Sequence, residues 1–348
     1  MKSFAFWIAI LSALLFGAAT PISKPLLDHL TSFQLAGLLY LGAAIGVLVL
    51  VLKGGKLLLP WKMDGKNRMR LIGAVFFGGL VAPLALLAGL RLASASSVSM
   101  WLNLEMVATA ILGHFIFKDH LTRKSWFAAA GVFLAALILA VGEGMAAFQA
   151  GALVALACVC WGLDNHLTAL IDGISPAQST FWKGLVAGST NLLIGVLIVP
   201  LTAPVWVTLS GVLIGVFAYG LSIVLYITSA QQIGATRSQL IFSSSPFWGL
   251  LLSVFILREA ITWQIVIALI ILIFSIFVLF QEQHSHPHEH ENRQHDHLHS
   301  HNDGHHTHLH GEYPVSGWHM HEHLHEAFNH SHPHWPDIHH RHTHSKES

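Results

Sequence analysis

Apolar runs of roughly 20 residues recur along the first 280 positions, separated by short polar stretches, and each is long enough to cross a bilayer as a helix. Without water, such a segment must bond its own N–H and C=O groups, so helix is the conformation the runs predict. The expected spans are 5–27, 34–53, 70–90, 97–117, 125–143, 149–170, 179–200, 206–228, 237–257 and 261–280. The connections at 26–34, 91–97 and 256–262 are so short that the helices they join must run antiparallel side by side. The first run, MKSFAFWIAILSALLFGAAT, carries one lysine, lacks a clear cleavage site and leads into further spans, so it reads as a helix that stays.

Composition agrees with the pattern: 53% of the 348 residues are hydrophobic and 10% are charged. Residues 1–281 hold 15 basic and 8 acidic residues, whereas 282–348 hold 3 and 10. The basic residues also sort by side. Lys53, Lys56, Lys62, Lys66, Arg68 and Arg70 cluster at one connection and Lys118, Arg123 and Lys124 at another, against Lys24, Arg91 and Arg258 on the opposite face. Positive connections stay in the cytoplasm, which predicts a multi-pass protein of the inner (plasma) membrane with both termini cytoplasmic. Cys158 and Cys160 lie two apart in an apolar run, a spacing that points them to different sides of a helix and implies no disulfide scaffold.

The two halves echo each other. LLFGAATPISK (14–24) aligns with VCWGLDNHLTA (159–169), RLASASSVSMWLNLEMV (91–107) with QIGATRSQLIFSSSPFW (232–248), and FKDHLT (117–122) with LREAIT (257–262). An odd number of helices per half inverts the second against the first, a common plan of secondary transporters. In these segments the chain resembles the drug/metabolite transporter superfamily, and within it the EamA-type permeases. The resemblance implies an all-α membrane protein of ten transmembrane helices in two inverted five-helix repeats, 1–145 and 146–281, around a central cavity, with the fifth and tenth helices peripheral. It also implies a solute carrier. Where the family pattern ends each half in a proline, an apolar run and Gly-Glu, this chain has Pro246 and Arg258–Glu259 in the second half. The first half has Glu105 near the proline position and Lys118–Asp119 at its end.

Ionisable groups inside the spans are the candidates for chemistry, because a charge at mid-bilayer costs at least roughly 2.5 kcal/mol and survives where it faces a cavity or a partner. Glu105 and Asp164 are such groups. Trp161, Asp164, Asn165 and Thr168 share one helix face, while His166 points elsewhere and suits a hydrogen bond between helices. Trp101 shares the face of Glu105. As a functional group Glu105 is a proton or cation carrier; as a packing group it is an ion-pair partner of Lys24, Lys183 or Arg237. Thr20, Pro21, Ser23 and Lys24 interrupt the first helix and expose the carbonyl of Phe16 or Gly17. Ser243, Ser244, Ser245 and Pro246 form a matching weak point in the ninth span. The expected transport cavity therefore draws on Glu105, Asp164, Asn165, Thr168, Trp161, Trp101, Thr20, Ser23, Lys24 and Ser245. Gly184 with Gly188 and Gly211 with Gly215 suit close helix contacts. The sequence has no phosphate-binding loop, dinucleotide fingerprint or HExxH, so neither an enzyme nor an ATP-driven pump is expected, no cofactor is required, and nucleic acid is not a partner.

Of the 27 histidines, 23 follow Phe280. Residues 282–348 have too little apolar surface to fold alone and read as a disordered histidine-rich cytoplasmic tail. Neutral imidazoles there are ligands for Zn, Ni, Co or Cu ions. The candidates are His284, His286, His288, His290, His295, His297, His299, His305, His306, His308, His310, His321, His323, His325, His339, His340, His342 and His344. His-x-His repeats in a flexible chain favour capacity over one defined site.

The expected partners are thus the lipid bilayer, a small polar solute and divalent metal ions at the tail, with the oligomeric state open. The leading reading is a permease exporting a small polar metabolite, coupled to protons or another cation. A divalent transition-metal transporter with a capturing tail, and a membrane-anchored metal buffer or sensor without transport, are the alternatives.

Overall fold

The structure is a computed structural model and describes residues 2–53, 57–116, 123–171, 174–233, 238 and 241–280 of the apolar part, with 285–289, 293–299, 319–325 and 329–333 beyond it. Helices α1 (Lys2–Leu26) and α2 (Ser32–Lys53) open the chain. Next come α3, running through Gly65–Ala74, Val75–Val81 and Ala82–Leu92, and α4, made of Ala95–Trp101 and Leu104–Ile116. Then follow α5 (Arg123–Glu143), α6 (Met145–Ala169) and α7 (Pro176–Ile198). Helix α8 runs through Val205–Ile214, Gly215–Leu221 and Ser222–Ile233, before α9 (Ser245–Leu257) and α10 (Trp263–Phe280). Among the described residues eight of these are long and apolar enough to cross a membrane, and α9 and α10 are shorter apolar helices. The chain is a many-spanning helical membrane protein.

The helix starts follow from capping chemistry. Thr31 and Gln34 form a reciprocal capping box at α2, with Gln34 N donating to Thr31 Oγ1 (3.1 Å) and Thr31 N to Gln34 Oε1 (3.0 Å). Asp64 accepts from the N–H groups of Lys66 and Asn67 at the start of α3, and these donors hold its carboxyl below the usual carboxylate range. Ser94 and Ser175 cap α4 and α7.

Two features recur between the halves. Val75–Val81 and Gly215–Leu221 are π-helical turns, in which Ala82 N donates to Phe77 O and Ser222 N to Phe217 O. Turns at Leu102–Asn103 and Ser243–Ser244 break or precede helices at matching points. Within the ninth expected span α9 starts at Ser245, after the turn at Ser243–Ser244, with Pro246 in its first turn, where a missing N–H costs nothing. Helix α1, by contrast, runs unbroken through Pro21 and Pro25. The interruption expected there does not occur, because a lost i→i−4 bond bends a long helix without ending it when neighbouring helices hold both sides.

Small residues let the helices close on α2. A Cβ at Gly184 would sit 2.7 Å from Tyr40 O, one at Gly188 2.7 Å from Leu41 N, and one at Gly215 2.1 Å from Leu39 O. Both GxxxG pairs therefore mark contacts of α7 and α8 with α2. Helices α5 and α10 lie against each other, and Gly131 meets Ser275 where they touch. Their outer surfaces carry exposed Phe127, Phe133, Ile270 and Phe274, a lipid-facing pattern.

Beyond the bundle, β1 (Ser285–Glu289) pairs antiparallel with β4 (Asn329–Pro333), and β2 (Arg293–His299) with β3 (His319–His325). The tail was expected to form no element. Its strict alternation of histidine with other residues has the period of a strand, and that period takes up these two ladders.

Candidate functional site

The polar groups of the bundle interior gather around α6. Asp164 is buried there, and Lys183 on α7 places Nζ 2.5 Å from its Oδ2. Thr168, one turn along α6, donates to Asp164 Oδ1 at 2.9 Å. Room for the carboxylate comes from the π-helical turn of α3: a Cβ on Gly78 would fall 2.0 Å from Asp164 Oδ2. The carbonyls of that turn collect side-chain donors from three helices. Tyr40 Oη and Trp161 Nε1 (3.1 Å) donate to Gly78 O, and Asn191 Nδ2 donates to Gly79 O at 3.1 Å. A buried ion pair is costly unless further hydrogen bonds satisfy it, and this shell of donors and acceptors supplies that condition.

A second polar contact lies on another side of α6. Asn165 Nδ2 donates to Glu105 Oε1 at 3.0 Å, joining α6 to α4. The stripe expected to act as one face is thus divided: Asp164, Thr168 and Trp161 turn toward α3 and α7, and Asn165 turns toward α4. His166 Nε2 lies 2.9 Å from Thr109 O, the interhelical contact expected of it. Neither Lys24 nor Lys183 takes the expected place beside Glu105; Arg237 lies outside the described residues.

Next to this polar centre is a cavity of about 10 Å³, room for one water-sized guest in this conformation. Thr20, Trp161 and Ser245 line it together with Phe16, Ser99 and Tyr219. Ser99 Oγ is buried without a hydrogen-bond partner, and so are Asn103 Oδ1 and Thr109 Oγ1 farther along α4. Such oxygens are uncommon in folded interiors and call for a reason.

Other expected cavity residues are placed elsewhere. Lys24 Nζ donates to Leu90 O and Ala93 O at 2.5 Å each, satisfying carbonyls at the end of α3. Trp101 Nε1 donates to Ala136 O at 3.0 Å, which aims the indole at α5. Ser23 is buried and does not line the cavity. Sequence reasoning named Lys183 only as a packing partner and missed Tyr40, Asn191 and Ser99. Lys183 had the available signal, a charge inside a span, whereas a serine or tyrosine in an apolar helix carries none. Of the tail candidates, His286, His288, His295, His297, His299, His321, His323 and His325 lie on the strands. His284, His290, His305, His306, His308, His310, His339, His340, His342 and His344 lie outside the described residues, as do Lys118 and Asp119. Among the described residues no three His, Cys, Asp or Glu side chains gather into a metal-holding group.

A sequence model of the EamA-like transporter family matches residues 3–141 and again 149–281. An "Uncharacterized transporter" of Methanothermobacter thermautotrophicus is 27% identical over 212 residues, covering 58% of this chain and 61% of its own length. The chain thus spans less than two thirds of that relative. A solved structure, titled only "Crystal structure of protein", superposes with a TM-score of 0.58 at 17% identity, over 80% of this chain and 97% of its own. That likeness concerns the fold alone.

Proposed function

Because the chain belongs to the EamA-like transporter family, whose members are transporters and not enzymes, we propose that it is a secondary permease exporting a small polar solute. In this reading ten helices cross the inner (plasma) membrane as two inverted five-helix repeats, 1–145 and 146–281, with both termini and the 282–348 tail in the cytoplasm. The doubled family match supports the repeat, as do the π-helical turns at Val75–Val81 and Gly215–Leu221.

The observation that carries the solute site is the Asp164–Lys183 pair inside an apolar bundle, beside a cavity lined by hydroxyls and aromatic rings. A polar solute entering from the cytoplasm would compete for the two charges, using Ser99, Thr20 and Ser245 as hydrogen-bond partners and Trp161 and Tyr219 as walls. Glu105, held by Asn165 across α4 and α6, is the group proposed to take the coupling proton or cation. Opening of the cavity is part of the cycle, since a guest larger than water does not fit the conformation described.

The test is a substrate screen in reconstituted vesicles, with and without a proton gradient, using amino acids, other small polar metabolites, and Zn, Ni or Co ions. Uptake of an organic solute that depends on Asp164 supports the proposal. Flux of metal alone would move the reading to a divalent-cation transporter, and absence of any flux would move it to a membrane-anchored metal buffer or sensor.

A further inference from the structure

The cavity is walled by both of the family-matched halves: Thr20 and Ser99 come from the first, and Tyr219, Ser245 and Pro246 from the second. At the end of the bundle where α1 and α3 finish and α4 starts, the way to it is shut. Leu27, Leu87, Leu90 and Ser96 are buried there, and Lys24 joins α1 to the last carbonyls of α3. The remaining wall is α9. It has 13 residues, short of the roughly 20 that cross a bilayer, and runs from Ser245 at the cavity to Leu257 at this end. A Cβ at Gly17 would overlap Ser245 O, and one at Gly249 would fall 2.6 Å from Ser99 Oγ, so α9 lies on α1 and α4 closely enough to exclude a methyl group. These contacts are van der Waals in kind. Ser99 Oγ has no hydrogen-bond partner, and Ser253 turns its hydroxyl back to Gly249 O at 2.7 Å.

The polar tie comes just beyond α9. Glu259 accepts from Ala95 N on Oε1 and from Ser96 N on Oε2, at 2.8 Å each, and so joins the second half to the start of α4 in the first. It is half-buried, whereas Arg258, Ala260, Ile261 and Thr262 around it are exposed. We infer that Glu259 is the latch of a gate formed by α9. With both carboxylate oxygens on α4 the cavity is closed toward this end; release of the pair lets α9 part from α1 and α4 and opens it. Arg258, with φ 54°, is placed as the hinge, since a residue at the end of an element can absorb the backbone change. The unpaired Ser99 hydroxyl fits the same account, because a buried oxygen without a partner disfavours the closed arrangement and gains one when the seam opens. The inference rests on the permease reading, since a carrier must open its cavity to each side in turn.

The test is thiol labelling in membrane vesicles, read without any solute. A cysteine at Thr20 reports the cavity, and one at Leu92, exposed at the end of α3, reports the end of the bundle that bears the latch. An impermeant reagent is applied from the side on which Leu92→Cys reacts. Thr20→Cys should react at least about tenfold faster with Glu259→Ala than with Glu259 present, because two charge-assisted hydrogen bonds no longer favour the closed state. Glu259→Gln keeps one acceptor oxygen and should fall between. Ser94→Ala is the control: Ser94 caps the same helix start by accepting from Ser97 N, but from within the first half, so its loss should leave Thr20→Cys at the parent rate. The buried native Cys158 and Cys160 should stay unlabelled throughout. A parent that carries no solute in the vesicle screen bears on the permease reading alone. Equal labelling of Thr20→Cys with and without Glu259, equal acceleration by Ser94→Ala, or reaction of the native cysteines would each overturn the latch.

Discussion

Lys183 Nζ stands 2.5 Å from Asp164 Oδ2, so α6 and α7 are tied by an ion pair inside the bundle, with Thr168 on the second carboxylate oxygen. The pair is seated where Gly78 leaves room for it. That arrangement decides how each partner responds to substitution.

Lys183→Met strands a buried carboxylate, which is expected to cost about 3–5 kcal/mol of stability. The double variant Asp164→Asn with Lys183→Met removes both charges and should recover most of that loss, as read by thermal unfolding in detergent. Transport should stay absent in single and double variants alike. A double variant that transports like the parent would reduce the pair to packing.

Gly78→Ala places a methyl group on the Asp164 carboxylate, since the added Cβ would fall 2.0 Å from Oδ2. The expected destabilisation is about 1–3 kcal/mol, with transport reduced more than the amount of folded protein. Gly65→Ala is the control, because nothing lies within 4 Å of its Cβ position.

Glu259 reaches from the α9–α10 connection to the start of α4, where its two carboxylate oxygens accept from Ala95 N and Ser96 N at 2.8 Å each. Glu259→Ala leaves those donors without their acceptor and should cost about 0.5–2 kcal/mol. Arg258 before it ends α9 with φ 54°, a conformation that favours glycine. Arg258→Gly is therefore expected to raise stability by about 1 kcal/mol, and an unchanged or lower melting temperature would contradict that account.

Orientation is testable by thiol labelling, since the native cysteines are both buried. Cysteines at Lys62 and in the tail should resist an impermeant reagent in intact cells and react after permeabilisation. One at Leu92, exposed at the end of α3, should react at once. Labelling of the tail in intact cells would reverse the proposed topology.

Much of this was legible along the chain. Apart from the start of α9, apolar runs located the helices to within a few residues, because a bilayer demands self-bonded backbone of fixed length whatever the neighbours are. The starts of α2, α4 and α7 follow from Thr31–Gln34, Ser94 and Ser175, since capping is decided within one turn. Glu105 and Asp164 stood out by their cost in lipid. Lys24 stood out for the same reason and proved to bond the carbonyls of Leu90 and Ala93, because a charge near a helix end is satisfied as well by backbone as by a solute.

The sequence by itself therefore determined a many-spanning helical membrane protein, its echoing halves and its short list of intramembrane charges, all of which depend on local pattern and transfer cost. Only the tertiary structure decided which charges meet. Asp164 and Lys183 share a pair while Glu105 holds Asn165, because both outcomes depend on how α6 is rotated between α3, α4 and α7. The same holds for Ser99 at the cavity and for the opposition of His297 to His321: helix rotation and strand register are set by packing across the fold, and neither is written in the spacing of residues along the chain.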